Sequence, residues 1–151
     1  MAHSLSKIYI HLIFHIKTTS PEIREEDLER VHSYVGQLVN VTGCALIQVG
    51  GIGNHVHILF LLSRTETISH VVEEVKRNSS RWLKTIGTHY ENFAWQGGYG
   101  AFSVSQSLVD KTRQYIKRQK EHHAKSTFRE EYTEFLTLYE VEYDEQYLFT
   151  D

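Results

Sequence analysis

The chain has 151 residues, 40% of them hydrophobic and 23% charged, which fits one compact domain with a core of its own. No apolar run approaches the roughly 18 residues of a membrane span, and the N-terminus lacks an apolar signal region, so a soluble cytoplasmic protein with no membrane partner is expected. A single cysteine, Cys44, sits in an apolar stretch; it excludes an internal disulfide, argues against a thiolate metal site and reads as a small core residue.

The formal net charge of -3 hides a segregation along the chain. Eight of the 19 acidic residues lie in 130–151, where there is no basic residue, leaving 16 basic against 11 acidic residues in 1–129. Lys76, Arg77, Arg81 and Lys84 form one basic run, and Lys111, Arg113, Lys117, Arg118, Lys120 and Lys125 form another. Together they make a footprint suited to phosphate, although either run alone also reads as a solvated helix face.

Lys7 to Lys17 alternates as a strand, with Ile8, Ile10, Leu12, Phe14 and Ile16 on a dry face and Tyr9, His11, Ile13, His15 and Lys17 on the other. Ser20-Pro21 has the form of a helix start, and Ile23, Leu28, Val31, Val35, Leu38 and Val39 supply an apolar stripe up to Gly43. Cys44 to Val49 reads as a second strand and Gly50-Gly51-Ile52-Gly53 as a turn. The third strand then carries His55 and His57 on one face, with Val56, Ile58, Phe60 and Leu62 on the other.

Thr67 to Ile86 is a second amphipathic helix, ended by Gly87. A loop rich in glycine and aromatics leads to a fourth strand at Ala101 to Ser105. The order β-α-β-β-α-β is that of a ferredoxin-like α+β fold, an antiparallel sheet with helices on one face and the other face free. The first and third strands are central in that plan, so His11 and His15 would share the free face with His55 and His57.

Ser107-Leu108-Val109-Asp110 has the capping-box pattern and opens an additional C-terminal helix to about Ala124, so poor in apolar residues that it docks by one narrow face. The remainder is acidic, with Phe128, Phe135, Leu136 and Tyr139 at helical spacing and Tyr143, Tyr147, Leu148 and Phe149 closing the chain as packing residues. One domain, 1–151, thus divides into a core (1–106), a tyrosine helix (107–125) and an acidic extension (126–151).

On the polar helix Tyr115 and Gln119 are one turn apart and face the same way. A bare H-x-H is more often structural than functional, and Tyr115 alone reads as a packing aromatic. Together, His55, His57 and Gln119 offer three ligands to a divalent metal, with open positions for a phosphate oxygen beside a tyrosine nucleophile.

His55-Val56-His57 after Gly53-Asn54, Trp95-Gln96-Gly97-Gly98-Tyr99, and Tyr115-Ile116-Lys117-Arg118-Gln119 resemble the single-tyrosine HUH transposases of the IS200-like type. Val75 to Trp82, Ala101 to Ser105 and Tyr143 to Leu148 are similar to that family as well. The resemblance implies a transposase that acts on single-stranded DNA bearing hairpins, with Tyr115 as nucleophile forming a 5′-phosphotyrosine link. It implies magnesium or manganese held by His55, His57 and Gln119, and a homodimer in which the tyrosine helix can complete the partner's site. The residues expected to contact DNA are Lys76, Arg77, Ser80, Arg81, Trp95, Lys111, Lys117 and Arg118. His122 and His123, one turn beyond Gln119, are alternative third ligands or DNA contacts.

Three rivals are weighed against this reading. An RNA-recognition module stacks bases on sheet aromatics, whereas this face offers histidines. A histidine-triad hydrolase needs H-x-H-x-H, and the third place here is Leu59. A domesticated relative that binds hairpins without transposing stays open on sequence alone.

Overall fold

A computed structural model describes residues 2–149. Four antiparallel strands, β1 (Tyr9–His15), β2 (Ala45–Ile52), β3 (His55–Leu61) and β4 (Gly100–Val104), form one sheet in the order β2-β3-β1-β4. Helices α1 (Leu28–Val41) and α2 (Ile68–Ile86) connect them in the expected ferredoxin-like order. Cys44 is buried in the core, where its sulfur accepts from Ser63 N at 3.4 Å.

The main core lies between α1, α2 and one sheet face. Ile10, Leu12, Phe14, Val56, Ile58 and Phe60 meet Val31, Val35, Val39, Val71, Val75 and Leu83 there. Strict alternation in β1 and β3 sends these side chains one way and the histidines the other. Thr67 caps α2 by accepting from His70 N at 3.1 Å.

Three local expectations are corrected. Helix α1 does not start at Pro21: Ser20 Oγ turns to Pro21 O and accepts from Ala94 N, and Ile23 N donates to Gly53 O, which keeps 21–24 out of helical geometry. The strand β2 runs through Gly50, Gly51 and Ile52, so the turn is confined to Gly53 and Asn54. Ser107 does not cap the tyrosine helix; a 3-10 turn at Gln106–Leu108 precedes it, and the helix breaks at Arg118 into α3 (Val109–Lys117) and α4 (Gln119–His123).

The second sheet face is covered rather than free. Helix α3 crosses β2, anchored by the fully buried Ile116, and Gly50 makes this approach feasible because a Cβ there would stand 2.2 Å from Ile116 O. Helix α5 (Phe128–Leu138), opened by a capping box between Thr127 and Glu130, packs beside it. Its Phe128, Tyr132 and Leu136 join Ile13 and Phe102 in a second cluster, and Gly100 leaves room for the Tyr132 ring. A short α6 (Glu145–Leu148) follows, with Leu148 O 3.2 Å from His15 Nε2.

Candidate active site

Strand register assembles the histidines. His15 pairs directly with His55, and Ile13 with His57. His55 and His57 are fully buried, and their Nε2 atoms converge on Glu131 Oε1 at 3.5 and 3.0 Å. Gln119 Oε1 lies 2.8 Å from His55 Nε2, and His123 Nε2 is 2.9 Å from that same amide oxygen and 3.2 Å from Glu131 Oε1.

Glu131 is the residue the sequence reading missed. The acidic composition of 126–151 suggests a solvated segment, but α5 lies over the sheet and carries Glu131, 1% exposed, into the histidines. Its Oε2 accepts from Gln119 Nε2 at 2.9 Å and from the Tyr115 hydroxyl. Phe128, Tyr132 and Leu136 recur every fourth residue, and Glu131 falls on that stripe, three positions after Phe128. A carboxylate on an apolar stripe was the available signal.

Outer contacts orient the rings. His11 Nε2 is 2.8 Å from His57 Nδ1, and Asn54 Oδ1 is 2.7 Å from His55 Nδ1. Burial, reinforced by the neighbouring His57, holds both His11 and His55 well below the usual histidine range, so both rings are neutral. Both ring nitrogens of His55 face an amide oxygen, Asn54 Oδ1 and Gln119 Oε1, and a neutral ring has one proton for the two, so in the tautomer that gives it to Asn54 the Nε2 lone pair faces Gln119 Oε1. Two acceptors in contact, beside a carboxylate oxygen, form an electron-rich pocket that fits a cation. His55, His57 and Glu131 offer ligand atoms within 4.8 Å of one another, and His122, His123 and Glu131 form a second such group.

Tyr115 is raised well above the ordinary phenol range, first by burial and then by its hydrogen bond to Glu131. Burial alone would raise Glu131, yet the hydrogen bonds from His57, Tyr115 and Gln119, with the charge of His57, hold it well below the carboxylate range. The site therefore pairs an ionised carboxylate with a protonated phenol. Both belong to the same chain, so Tyr115 lies beside its own histidines, 5.9 Å from the His57 ring between centroids.

The expected DNA contacts separate into two groups. Lys76 donates to Gln96 O and Gly98 O at 2.7 Å each, and Trp95 is 8% exposed with its Nε1 donating to Ser79 Oγ, so the fold itself employs both. Arg77 is paired with Glu73 and Glu74. Ser80 is half-buried on α2, and Arg81, Lys111, Lys117 and Arg118 are exposed.

Residues 4–119 match the family described as "Transposase IS200 like". Two solved structures share the fold. One is the 1.90 Å crystal structure of a transposase candidate from Deinococcus radiodurans R1, 20% identical, covering 79% of this chain and 95% of that one, with a TM-score of 0.61. The other is a REP-associated tyrosine transposase bound to a REP hairpin, 10% identical, covering 82% of this chain and 72% of that one, with a TM-score of 0.60. No curated protein matches the chain significantly.

Proposed function

The chain belongs to the IS200-like transposase family, and from that premise we propose that it cleaves and rejoins single-stranded DNA at hairpin-bearing ends, with Tyr115 as nucleophile. The observation that carries this reading is the meeting of Tyr115 and Gln119 with His55 and His57 around one carboxylate. Hairpin recognition draws support from the neighbour that is itself bound to a REP hairpin.

His55 Nε2, His57 Nε2 and Gln119 Oε1, joined by Glu131 Oε1, would hold a magnesium or manganese ion. When bound, such an ion supplies Lewis-acid polarisation of a phosphate oxygen. Asn54 and His11 fix the two ring orientations from behind. The covered sheet face limits water around the reacting atoms.

Tyr115 Oη attacks phosphorus, and the new P–O bond forms as the P–O3′ bond breaks, leaving a 5′-phosphotyrosine and a free 3′-hydroxyl. The phenolic proton passes along the existing hydrogen bond to Glu131 Oε2 as the bond forms and then to solvent; solvent in turn protonates the departing 3′-oxygen. Because Glu131 is a weak base, its contribution is to aim the phenol rather than to ionise it beforehand. In the reverse sense a 3′-hydroxyl attacks the phosphotyrosine and rejoins DNA. A homodimer is part of this reading, and since Tyr115 reaches its own histidines, each protomer would carry a full site. The test is formation of a denaturation-resistant protein–DNA adduct that Tyr115→Phe abolishes.

A further inference from the structure

A groove opens beside Tyr115 on the α3–α4 surface, lined by Lys111, Gln114, Arg118, His122 and Lys125, with Glu121 as its one carboxylate. Lys111, Arg118 and Lys125 are exposed, and none has an ion pair or side-chain hydrogen bond among the described residues. In the α2 run Lys76 is bound to backbone carbonyls and Arg77 to two glutamates, while Arg81 and Lys84 are exposed without an ion pair among the described residues. The α3–α4 set is the uncommitted positive charge that stands beside Tyr115.

His122 supplies an independent observation. Its Nε2 is shielded from solvent and has no hydrogen-bond partner. The nearest acidic atom is Glu131 Oε2 at 3.5 Å, an ion-pair distance without hydrogen-bond geometry, and that oxygen is the one that accepts the Tyr115 hydroxyl. The His122 and Tyr115 rings are 5.4 Å apart between centroids. A buried ring nitrogen left unsatisfied is costly unless a ligand completes it.

The geometry points to this groove as the phosphodiester cradle of the site: the partly exposed His122 ring turns its covered Nε2 outward to donate to a non-bridging oxygen of the phosphate presented to Tyr115, and Lys111, Arg118 and Lys125 hold flanking phosphates of the single strand. This rests on the reading of the chain as a single-strand DNA transposase and adds the path of the strand. It assigns His122 and Lys125 to DNA and removes Arg77 from the principal footprint.

The probe is a fluorescein-labelled dT20 oligonucleotide, titrated by anisotropy across a salt series with the full chain. The triple variant Lys111→Ala, Arg118→Ala, Lys125→Ala is expected to lose at least tenfold in affinity, with a log–log salt slope shallower by about 2, at roughly 0.7 per lost phosphate contact. Lys125→Arg should retain the wild-type slope, and Arg77→Ala should change affinity less than twofold. In proton–nitrogen spectra the His122 Nε2 signal should move on adding dT20, and that signal should be missing in His122→Gln. A triple variant that binds like wild type, an equal loss in Arg77→Ala, or an unmoved His122 signal overturns the cradle while leaving the transposase reading intact. Failure of the wild type to bind dT20 at low salt overturns the cradle, and the transposase reading falls only if hairpin-bearing single strands fail to bind as well.

Discussion

The Glu131 carboxylate accepts the hydrogen bond of the Tyr115 hydroxyl, which ties the proposed nucleophile to a helix beyond residues 4–119, the segment that matches the family. The same carboxylate faces His57 at 3.0 Å, so a single residue of α5 couples the tyrosine to the histidines. Glu131→Gln should lower stability by about 1–3 kcal/mol, because it disturbs a buried, fully used acceptor. It should also let Tyr115 ionise at lower pH, though burial, the larger cause of its raised pKa, remains. The difference in 295 nm absorbance titrations between Glu131→Gln and Glu131→Gln/Tyr115→Phe measures this; a Tyr115 transition where the wild type has it would refute the coupling.

His11 touches the proposed ligand His57 only from behind, at 2.8 Å. Removing such an orienting partner typically lowers metal affinity 10–100-fold. His11→Ala should therefore weaken manganese binding by that factor in calorimetry, whereas His55→Ala and His57→Ala should each abolish it. Unchanged affinity in the two ligand variants would place the metal elsewhere.

The acid side of the stability curve should be steep. Burial lowers His32 to about 4, and His11 and His55 are held well below the usual range, so all three stay neutral in the fold. Between about 4 and 6.5 the unfolded chain binds a proton on His32 that the folded chain does not, and stability falls with falling pH by about 1.4 kcal/mol per unit. Below about 4 that contribution levels off. Urea denaturation at pH 7 and pH 5 should show a smaller drop for His32→Gln than for the wild type; equal drops would contradict a neutral His32.

Gly50 lets α3 lie on β2. Gly50→Ala places a Cβ 2.2 Å from a backbone oxygen, and backbone cannot rotate away. A loss of about 1–3 kcal/mol is expected, with adduct formation falling as α3 shifts Tyr115. Gly97→Ala, in open space, is the control and should leave both unchanged.

Much of this was legible because two periodicities are strong. Alternation in Tyr9–His15 and His55–Leu61 separated core from site side chains, and the i, i+4 relation of Tyr115 to Gln119 survives the helix break at Arg118, with both side chains on Glu131. What escaped were features fixed by contacts distant in sequence. Ser20-Pro21 looks like a cap locally, yet Ala94 and Gly53 claim the groups that a helix start would use. Lys76 and Trp95 read as DNA contacts by type, and their second role, holding the loop before β4 against α2, has no local sequence signal. The charge of Glu131 is one of eight in an acidic tail, although its place on the Phe128–Tyr132–Leu136 stripe marks it as buried.

The most direct test of the central claim is covalent capture. The protein is incubated with manganese and 3′-end-labelled single-stranded DNA bearing hairpins from the sequences that flank its gene, then denatured and resolved by electrophoresis. The account predicts a labelled protein band for the wild type and none for Tyr115→Phe. A band that persists in Tyr115→Phe, or no band for the wild type with any of these DNAs, would contradict it.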